Sequence, residues 1–259
     1  MLITTIGQSL LYNDTFDFLD LLQKNECNYI RYNLSKCRNN EDFLAKEKIV
    51  LDIKNKYKEK LKLMIDIPYP GMKIRIDLDK KSMNICCEKT YLLCSEYNYN
   101  DKNIIYTNFN HIGKFLKTND EFIYSDGLGC FHVEKIIDDN RVVIKANNEF
   151  EMFNNKSLSV KNLVLKTIYK TKIFELLQKI EPDSVACSFV SFPMQVKELT
   201  DFLPSTQIIS KIETAKGVLN VSEISKESNI MIARGDLMIH TNPVDLYENQ
   251  LIIANATKK

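Results

Sequence analysis

Lys211 and Glu213 stand two residues apart in the run QIISKIETAKGV, whose first seven residues read as a buried strand. Strand side chains repeat with period two, so Ile209, Lys211 and Glu213 share a face. Burying an unpaired ammonium or carboxylate is expensive, and such groups are normally paired, bound to a metal or facing a cavity. Three more polar clusters fall at the ends of strand-like runs: Arg31, Asn33 and Ser35 in NYIRYNLS, Asp66 in LKLMIDI, and Arg234, Gly235 and Asp236 in NIMIARGD. Glu213 and Asp236 offer hard oxygens of the kind that Mg²⁺ takes, one or two carboxylates beside water and substrate. Lys211 between them suits stabilisation of an anion forming on a bound substrate. Arg31 suits a clamp on phosphate or carboxylate. Plainer roles are open to each: a solvated pair for Lys211 and Glu213, a turn closed by Arg234 and Asp236, a helix cap from Asn33 and Ser35.

Positioning such groups together requires a scaffold, and the chain supplies repeated βα units. LITTI, NYIRYNL, LKLMIDI, SVACSFV, QIISKIE and NIMIARGD read as six short strands, the last three starting 22 or 23 residues apart. Their continuous apolar character suits parallel strands covered on both faces. Helical spacing separates them. Asn13 or Asp14 is placed to cap a helix carrying Phe18, Leu19 and Leu22, and Phe43, Val50, Ile53, Tyr57 and Leu61 line a longer one. Pro193 stands at a first helical position before Val196, Leu199 and Leu203, and PVDLYENQLIIANATKK reads as the sixth helix.

Residues 74–160 differ, being rich in Tyr, Ile, Val and Asn, with Asp126-Gly127 as a two-residue hairpin signal and a turn at 138–140. The expected fold is therefore α/β: a (β/α) TIM-type barrel over 1–73 and 161–259, incomplete at the C-terminus, with a small β-rich domain inserted at 74–160. A barrel of this type has eight strands and gathers its site at their carboxyl ends. Six strands leave two open edges, which predicts a homo-oligomer or a partner chain that completes the barrel.

Composition narrows the function. Apolar residues make up 44% of the 259, enough for a real core, and 35 basic against 34 acidic residues give no electrostatic reason to expect nucleic acid or an anionic membrane. The apolar runs are too short to span a bilayer, and MLITTIGQSLLYNDTFDF lacks the pattern of an export signal. Seven cysteines without a C-x-x-C pair suit a reducing cytoplasm, and zinc at Cys130 and His132 lacks further ligands.

Taken together, these motifs resemble pyruvate kinase. TTIGQS resembles that family's first strand and turn, IRYNLS its second-strand motif, DIPYPGMKIR the segment leading to its lid, and YSDGLG the lid's hairpin. ACSFV, IISKIETAKGV and IMIARGDL resemble its next three barrel strands, in order. The resemblance covers essentially the whole chain and implies phosphoryl transfer between phosphoenolpyruvate and ADP, giving pyruvate and ATP, with Mg²⁺ (or Mn²⁺) and K⁺. It makes Lys211 the catalytic lysine, Arg31 the phosphate contact, and Glu213 and Asp236 the divalent-metal ligands. Gly235 and Asp236 become the amides that hold the substrate carboxylate. Asn33, Ser35, Asp66 and the carbonyl of Ile67 form the potassium site, Arg75 the nucleotide contact, and Asp126 the lid aspartate.

The chain departs from the pattern at Lys36, Ser191 and Met238, in two additional residues between Asp66 and Arg75, and in the absence of the last two barrel strands and the C-terminal domain. Two other readings stand beside full turnover. One is an impaired relative that binds phosphoenolpyruvate, pyruvate or a protein; the other is a metal-dependent aldolase or lyase acting on a 2-oxo acid.

Overall fold

The structure, a computed structural model, describes residues 3–6, 15–24, 29–36, 40–57, 61–97, 103–161 and 163–257. In chain order the first elements are β1 (Ile3–Ile6), α1 (Thr15–Lys24), β2 (Tyr29–Asn33), α2 (Asn40–Tyr57) and β3 (Lys62–Met72). An all-β stretch follows: β4 (Ile74–Asp77), β5 (Ser82–Ile85), β6 (Thr90–Cys94), β7 (Ile104–Thr107), β8 (Glu121–Tyr124), β9 (Gly129–Ile136), β10 (Arg141–Ala146), β11 (Phe150–Phe153) and β12 (Ser157–Val160). The βα pattern then resumes with β13 (Leu165–Lys166), α3 (Lys170–Ile180), β14 (Ser184–Ser188), α4 (Pro193–Phe202), β15 (Gln207–Ile212), α5 (Ala215–Leu219), α6 (Val221–Glu227), β16 (Asn229–Ile232), α7 (Arg234–Ile239) and α8 (Leu246–Ala256). These elements form two compact units, one of Met1–Met72, Leu165–Leu237 and Val244–Lys259, the other of Lys73–Val164 and Met238–Pro243.

The first unit is a parallel half-barrel in the order β1-β2-β3-β14-β15-β16, with β13 antiparallel to the far end of β3. Register ties the strands level by level: Tyr29 pairs with Ile3, Asn33 with Asp66, Asp66 with Ala186, and Lys211 with Met231. Alternation sends one set of side chains to each face. Inward, Tyr29, Met64, Ala186 and Ile209 form an apolar layer with Ile3 and Met231 packed against it. Outward, Ile30, Leu63, Ile65, Ile67, Val185 and Ile208 are buried, as are Phe43, Val50, Ile53 and Tyr57 of α2 and Ile173, Leu176 and Leu177 of α3. Burial on both faces is the reason these strands read as continuous apolar runs. The inward residues of β14 are Ser184, Ala186 and Ser188, all small and all buried.

Several details differ from the sequence reading. Strand β3 runs on through PYPGM to Met72, because Gly71 and Met72 pair with Lys166 and Leu165. The predicted sixth helix is α8 alone, preceded by a short 3-10 turn at Pro243–Asp245. Pro193 does open α4, and Val196, Leu199 and Leu203 are buried. Asn13, Asp14 and the side chains of Phe18 and Leu22 lie outside the described residues; Leu19 is fully buried.

The second unit is a closed β-barrel in the order β10-β6-β7-β4-β12-β8-β9, with β9 pairing back to β10 and a separate ribbon of β5 and β11. Closure removes exposed edges. Its core is carried by Phe122, Phe131, Val133, Val142, Ile144 and Leu158, all with no exposed surface. The hairpin at Asp126-Gly127 has a four-residue loop, 125–128, since Tyr124 pairs with Gly129. Ser125, Asp126 and Gly127 all take positive φ there, and the connection is two residues longer than the two-residue turn expected.

Candidate functional site

Two residues beyond the apolar layer, toward the carboxyl ends of the strands, the inward positions turn polar: Thr5 on β1, Arg31 on β2, Asp66 on β3, Ser188 on β14 and Lys211 on β15. Asp66 is the hub. It has no exposed surface. Its Oδ2 accepts from Arg31 Nε at 3.0 Å and from Nη2 of the same guanidinium, while Oδ1 lies 3.1 Å from Lys211 Nζ. Arg31 also donates through Nη1 to Thr5 Oγ1 at 3.2 Å. Lys211 Nζ lies 3.2 Å from Glu213 Oε1, and Glu213 Oε2 accepts the backbone N–H of Phe189 at 2.6 Å. Lys211 and Glu213 are 7% and 1% exposed, which rules out a solvated edge pair. Isolated, either charge would lose several kcal/mol on burial; here each is met by an opposite charge.

Electrostatics follow from that burial. Desolvation opposes the charged form of Lys211, but Glu213 and Asp66, with Asp236 behind them, outweigh it and hold the ammonium above its ordinary pKa. Glu213 goes the other way. Burial, reinforced by Asp236 and Asp66, pushes its carboxyl up to about 7, against the pull of Lys211 and the Phe189 N–H. Asp236 stands in the first turn of α7, beside exposed Arg234 and Gly235, and its charge reaches both Lys211 and Glu213. Burial, with Asp66 beside it, drives the thiol of Cys187 far above the usual range, so this cysteine is a packing residue.

Oxygen donors for a second cation lie along β2 and β3. Asn33 Oδ1 accepts from the N–H of Ser35 at 2.8 Å and from its hydroxyl, the local capping geometry that was the plainer reading of this pair. The carbonyl of Ile67 accepts from Ser188 Oγ at 2.9 Å. Arg75 and Asp126 belong to the second unit. Arg75 is buried on β4, its N–H donating to Asn108 Oδ1 at 2.8 Å and its Nη1 to Asn155 O at 3.5 Å. Asp126 is exposed, 3.4 Å from Lys73 Nζ.

Thr5, Ser188, Phe189 and Thr214 went unremarked as site residues in the sequence. Counting by twos along each strand from the apolar layer finds Thr5 and Ser188, which stand level with Arg31 and Lys211. Phe189 contributes only a backbone N–H, and side-chain identity carries no signal for that.

Fold and geometry together define a (β/α) half-barrel that gathers paired cations and carboxylates at the carboxyl ends of its strands. The profile of the family "Pyruvate kinase, barrel domain" matches residues 1–259. Similar proteins include the pyruvate kinase of Borreliella burgdorferi, 29% identical over 243 residues that make up 90% of this chain and 49% of the relative. The pyruvate kinase of Mycoplasma pneumoniae is 28% identical over 83% of this chain and 45% of its own length; that of Methanocaldococcus jannaschii is 32% identical over 51% and 32%. The chain belongs to the pyruvate kinase family. It spans about half the length of the first two of these relatives.

Proposed function

We propose that this chain transfers a phosphoryl group between phosphoenolpyruvate and ADP, in a cytoplasmic setting, with Mg²⁺ or Mn²⁺ and K⁺ as its ions. The observation that carries this reading is the buried network Arg31–Asp66–Lys211–Glu213, built across strands whose motifs are those of the family. Phosphoryl transfer depends mostly on positioning and charge neutralisation, and this network supplies fixed, buried charge. Arg31 uses three N–H groups inside the protein; a guanidinium has five, so further donors are available to a substrate phosphate. Lys211, held cationic by the carboxylates around it, would offset charge on the phosphoryl group in transit and on the enolate oxygen left when the ester bond breaks. That enolate, taking a proton at carbon, becomes pyruvate.

Glu213 and Asp236 are the residues that would hold the divalent ion. Three carboxylates against two cations, with Glu213 forced toward its protonated form, make a donor set that a hard cation fits. Among the described residues no three His, Cys, Asp or Glu side chains converge as a ready metal cage; Mg²⁺ takes one or two carboxylates and completes its shell with water and substrate. When bound, Mg²⁺ would neutralise anionic substrate oxygens. Asn33, Ser35, Asp66 and the Ile67 carbonyl would hold K⁺; Gly235 and Asp236 would meet the substrate carboxylate, Arg75 the nucleotide, and Asp126 would act from the β8–β9 loop.

The test is pyruvate formation from phosphoenolpyruvate and ADP with Mg²⁺ and K⁺, run beside Lys211→Met. Activity in the parent that falls by about 10²–10³-fold or more in the variant supports the proposal. A folded parent that forms no pyruvate refutes turnover. Retained phosphoenolpyruvate binding would then favour the impaired relative, and metal-dependent deprotonation of pyruvate without ADP would favour the aldolase or lyase. Among the described residues no helix is long and apolar enough to cross a membrane.

A further inference from the structure

The turn between β14 and α4 is fixed more firmly than a βα connection requires. Phe189 adopts φ 60°, a left-handed conformation that a bulky residue rarely takes. Glycine would adopt it freely, so the side chain is retained against a conformational cost. Three elements hold the turn in place. Gln195 Oε1 on α4 accepts the N–H groups of Ser191 and Phe192 at 2.8 and 2.9 Å. Asn220, between α5 and α6, donates Nδ2 to the carbonyl of Ser191 at 2.8 Å. Ser191 Oγ and Thr214 Oγ1 lie 3.0 Å apart, and Thr214 also caps α5 by accepting the Gly217 N–H at 3.0 Å. The helix start presses so closely that a Cβ on Gly217 would come within 2.7 Å of the Val190 carbonyl oxygen.

The pinned segment reaches Phe189 through Ser191, whose Oγ also lies 3.4 Å from the Phe189 carbonyl oxygen. The Phe189 N–H donates to Glu213 Oε2 at 2.6 Å, while Oε1 of the same carboxylate faces Lys211. We propose that Asn220, Ser191 and Thr214 are positioning residues for Glu213: they lock the turn so that one carboxylate oxygen is held by backbone and the other is presented toward Lys211 and a bound divalent cation. The cation half of this statement rests on the function proposed above; the locking half does not. Partners that orient a ligand from behind typically change metal affinity by about 10- to 100-fold when removed.

The experiment uses the full chain, with Mn²⁺ as the probe, read by electron paramagnetic resonance of free Mn²⁺. Amide exchange at Phe189 is read alongside. Asn220→Ala is expected to weaken Mn²⁺ about tenfold and to accelerate exchange at Phe189, with the amides of β3 and β15 unchanged. Ser191→Ala should do the same and Ser191→Thr, which keeps the hydroxyl, should restore both; this pair decides the matter if Asn220→Ala does not fold. Mn²⁺ affinity and Phe189 exchange both unchanged in Asn220→Ala and Ser191→Ala would overturn the proposal. If the parent binds no Mn²⁺, the cation reading fails, and exchange at Phe189 alone decides whether the lock exists.

Discussion

Asp66 is the residue whose loss the half-barrel should feel most, and the effect can be worked from its contacts. It is fully buried and joins Arg31 through Oδ2 and Lys211 through Oδ1, the latter at 3.1 Å. At that separation and an effective dielectric of ~20, the gross attraction to Lys211 is about 5 kcal/mol, much of it cancelled by desolvation. Removing one partner of a buried ion pair costs about 3–5 kcal/mol. Arg31 keeps a quarter of its side chain in solvent (26%), and Lys211 keeps Glu213. Both soften the loss, so Asp66→Asn should fall near the lower bound, about 3 kcal/mol. Lys211→Met should cost somewhat less, about 2–3 kcal/mol, because Glu213 already lies close to neutrality and can take up a proton. The double variant removes both charges together. Its cost should be nearer about 3–4 kcal/mol than the sum of the two, a coupling of roughly 2 kcal/mol. Urea titration followed by hydrogen exchange of peptides from β3, β14 and β15 reads the half-barrel separately from the β-barrel unit. Costs that add to within about 0.5 kcal/mol would show that the two side chains do not share one network, and the description of the site would fail with them.

Two other expectations follow from named contacts. Glu213 titrates near 7 in the folded chain against an ordinary 4.5, so the folded state binds its proton more tightly than the unfolded one. The metal-free protein should thus be steadiest below about pH 4.5 with respect to this group, and should lose that contribution as pH rises to about 7; a divalent cation must displace the proton. Mn²⁺ affinity should accordingly climb close to tenfold per pH unit below 7 and level off above it, measured by calorimetry in two buffers of different ionisation heat; a flat profile would refute it. Glycine substitutions give a sharper structural check. Gly217→Ala would drive a methyl against the Val190 carbonyl at 2.7 Å, and Gly113→Ala one against the Asp138 carbonyl at 2.2 Å. Both obstacles are backbone, so each should destabilise its own unit by about 1–3 kcal/mol or more, with Gly113 the worse; thermal melts unchanged from the parent would contradict the packing described.

The half-barrel was legible because its strands obey a simple period and its helices a simple stripe. Phe43, Val50, Ile53 and Tyr57 fell on one face by spacing alone and are buried, and Lys211 with Glu213 advertised themselves as charges on an inward face. The extension of β3 was not legible. Pro68, Pro70 and Gly71 look like turn residues, and pairing of Pro70 with Ser188 and of Gly71 and Met72 with Lys166 and Leu165, all more than ninety positions later, keeps the stretch extended. Nor was closure of the second unit, since it depends on β10 pairing with β6 and β12 with β4, far apart in the chain, and on β6 and β7 running parallel, matters of register that no local pattern records. Within the site, charged side chains announce themselves in the sequence, whereas Thr5 and Ser188 emerge only by counting along strands whose inward face is already known, and backbone donors not at all. The former are rarely buried without cause, whereas Thr5, Ser188 and the Phe189 N–H are of kinds found throughout any protein.

The small inward side chains of β14 have an effect that reaches past their own strand. Lys211 and Asp66 sit on β15 and β3, with β14 between them, and neighbouring strands lie about 4.8 Å apart. The lysine must therefore lie across β14 to come within 3.1 Å of its partner. Ser184, Ala186 and Ser188 form a low sill under it. Leucine at Ala186 would carry no charge and touch no substrate, yet it would raise that sill into the path of the ammonium. Shape alone can thus limit what β14 tolerates: a bulkier residue there would sever the site's central bond while leaving every reactive group in the sequence unaltered.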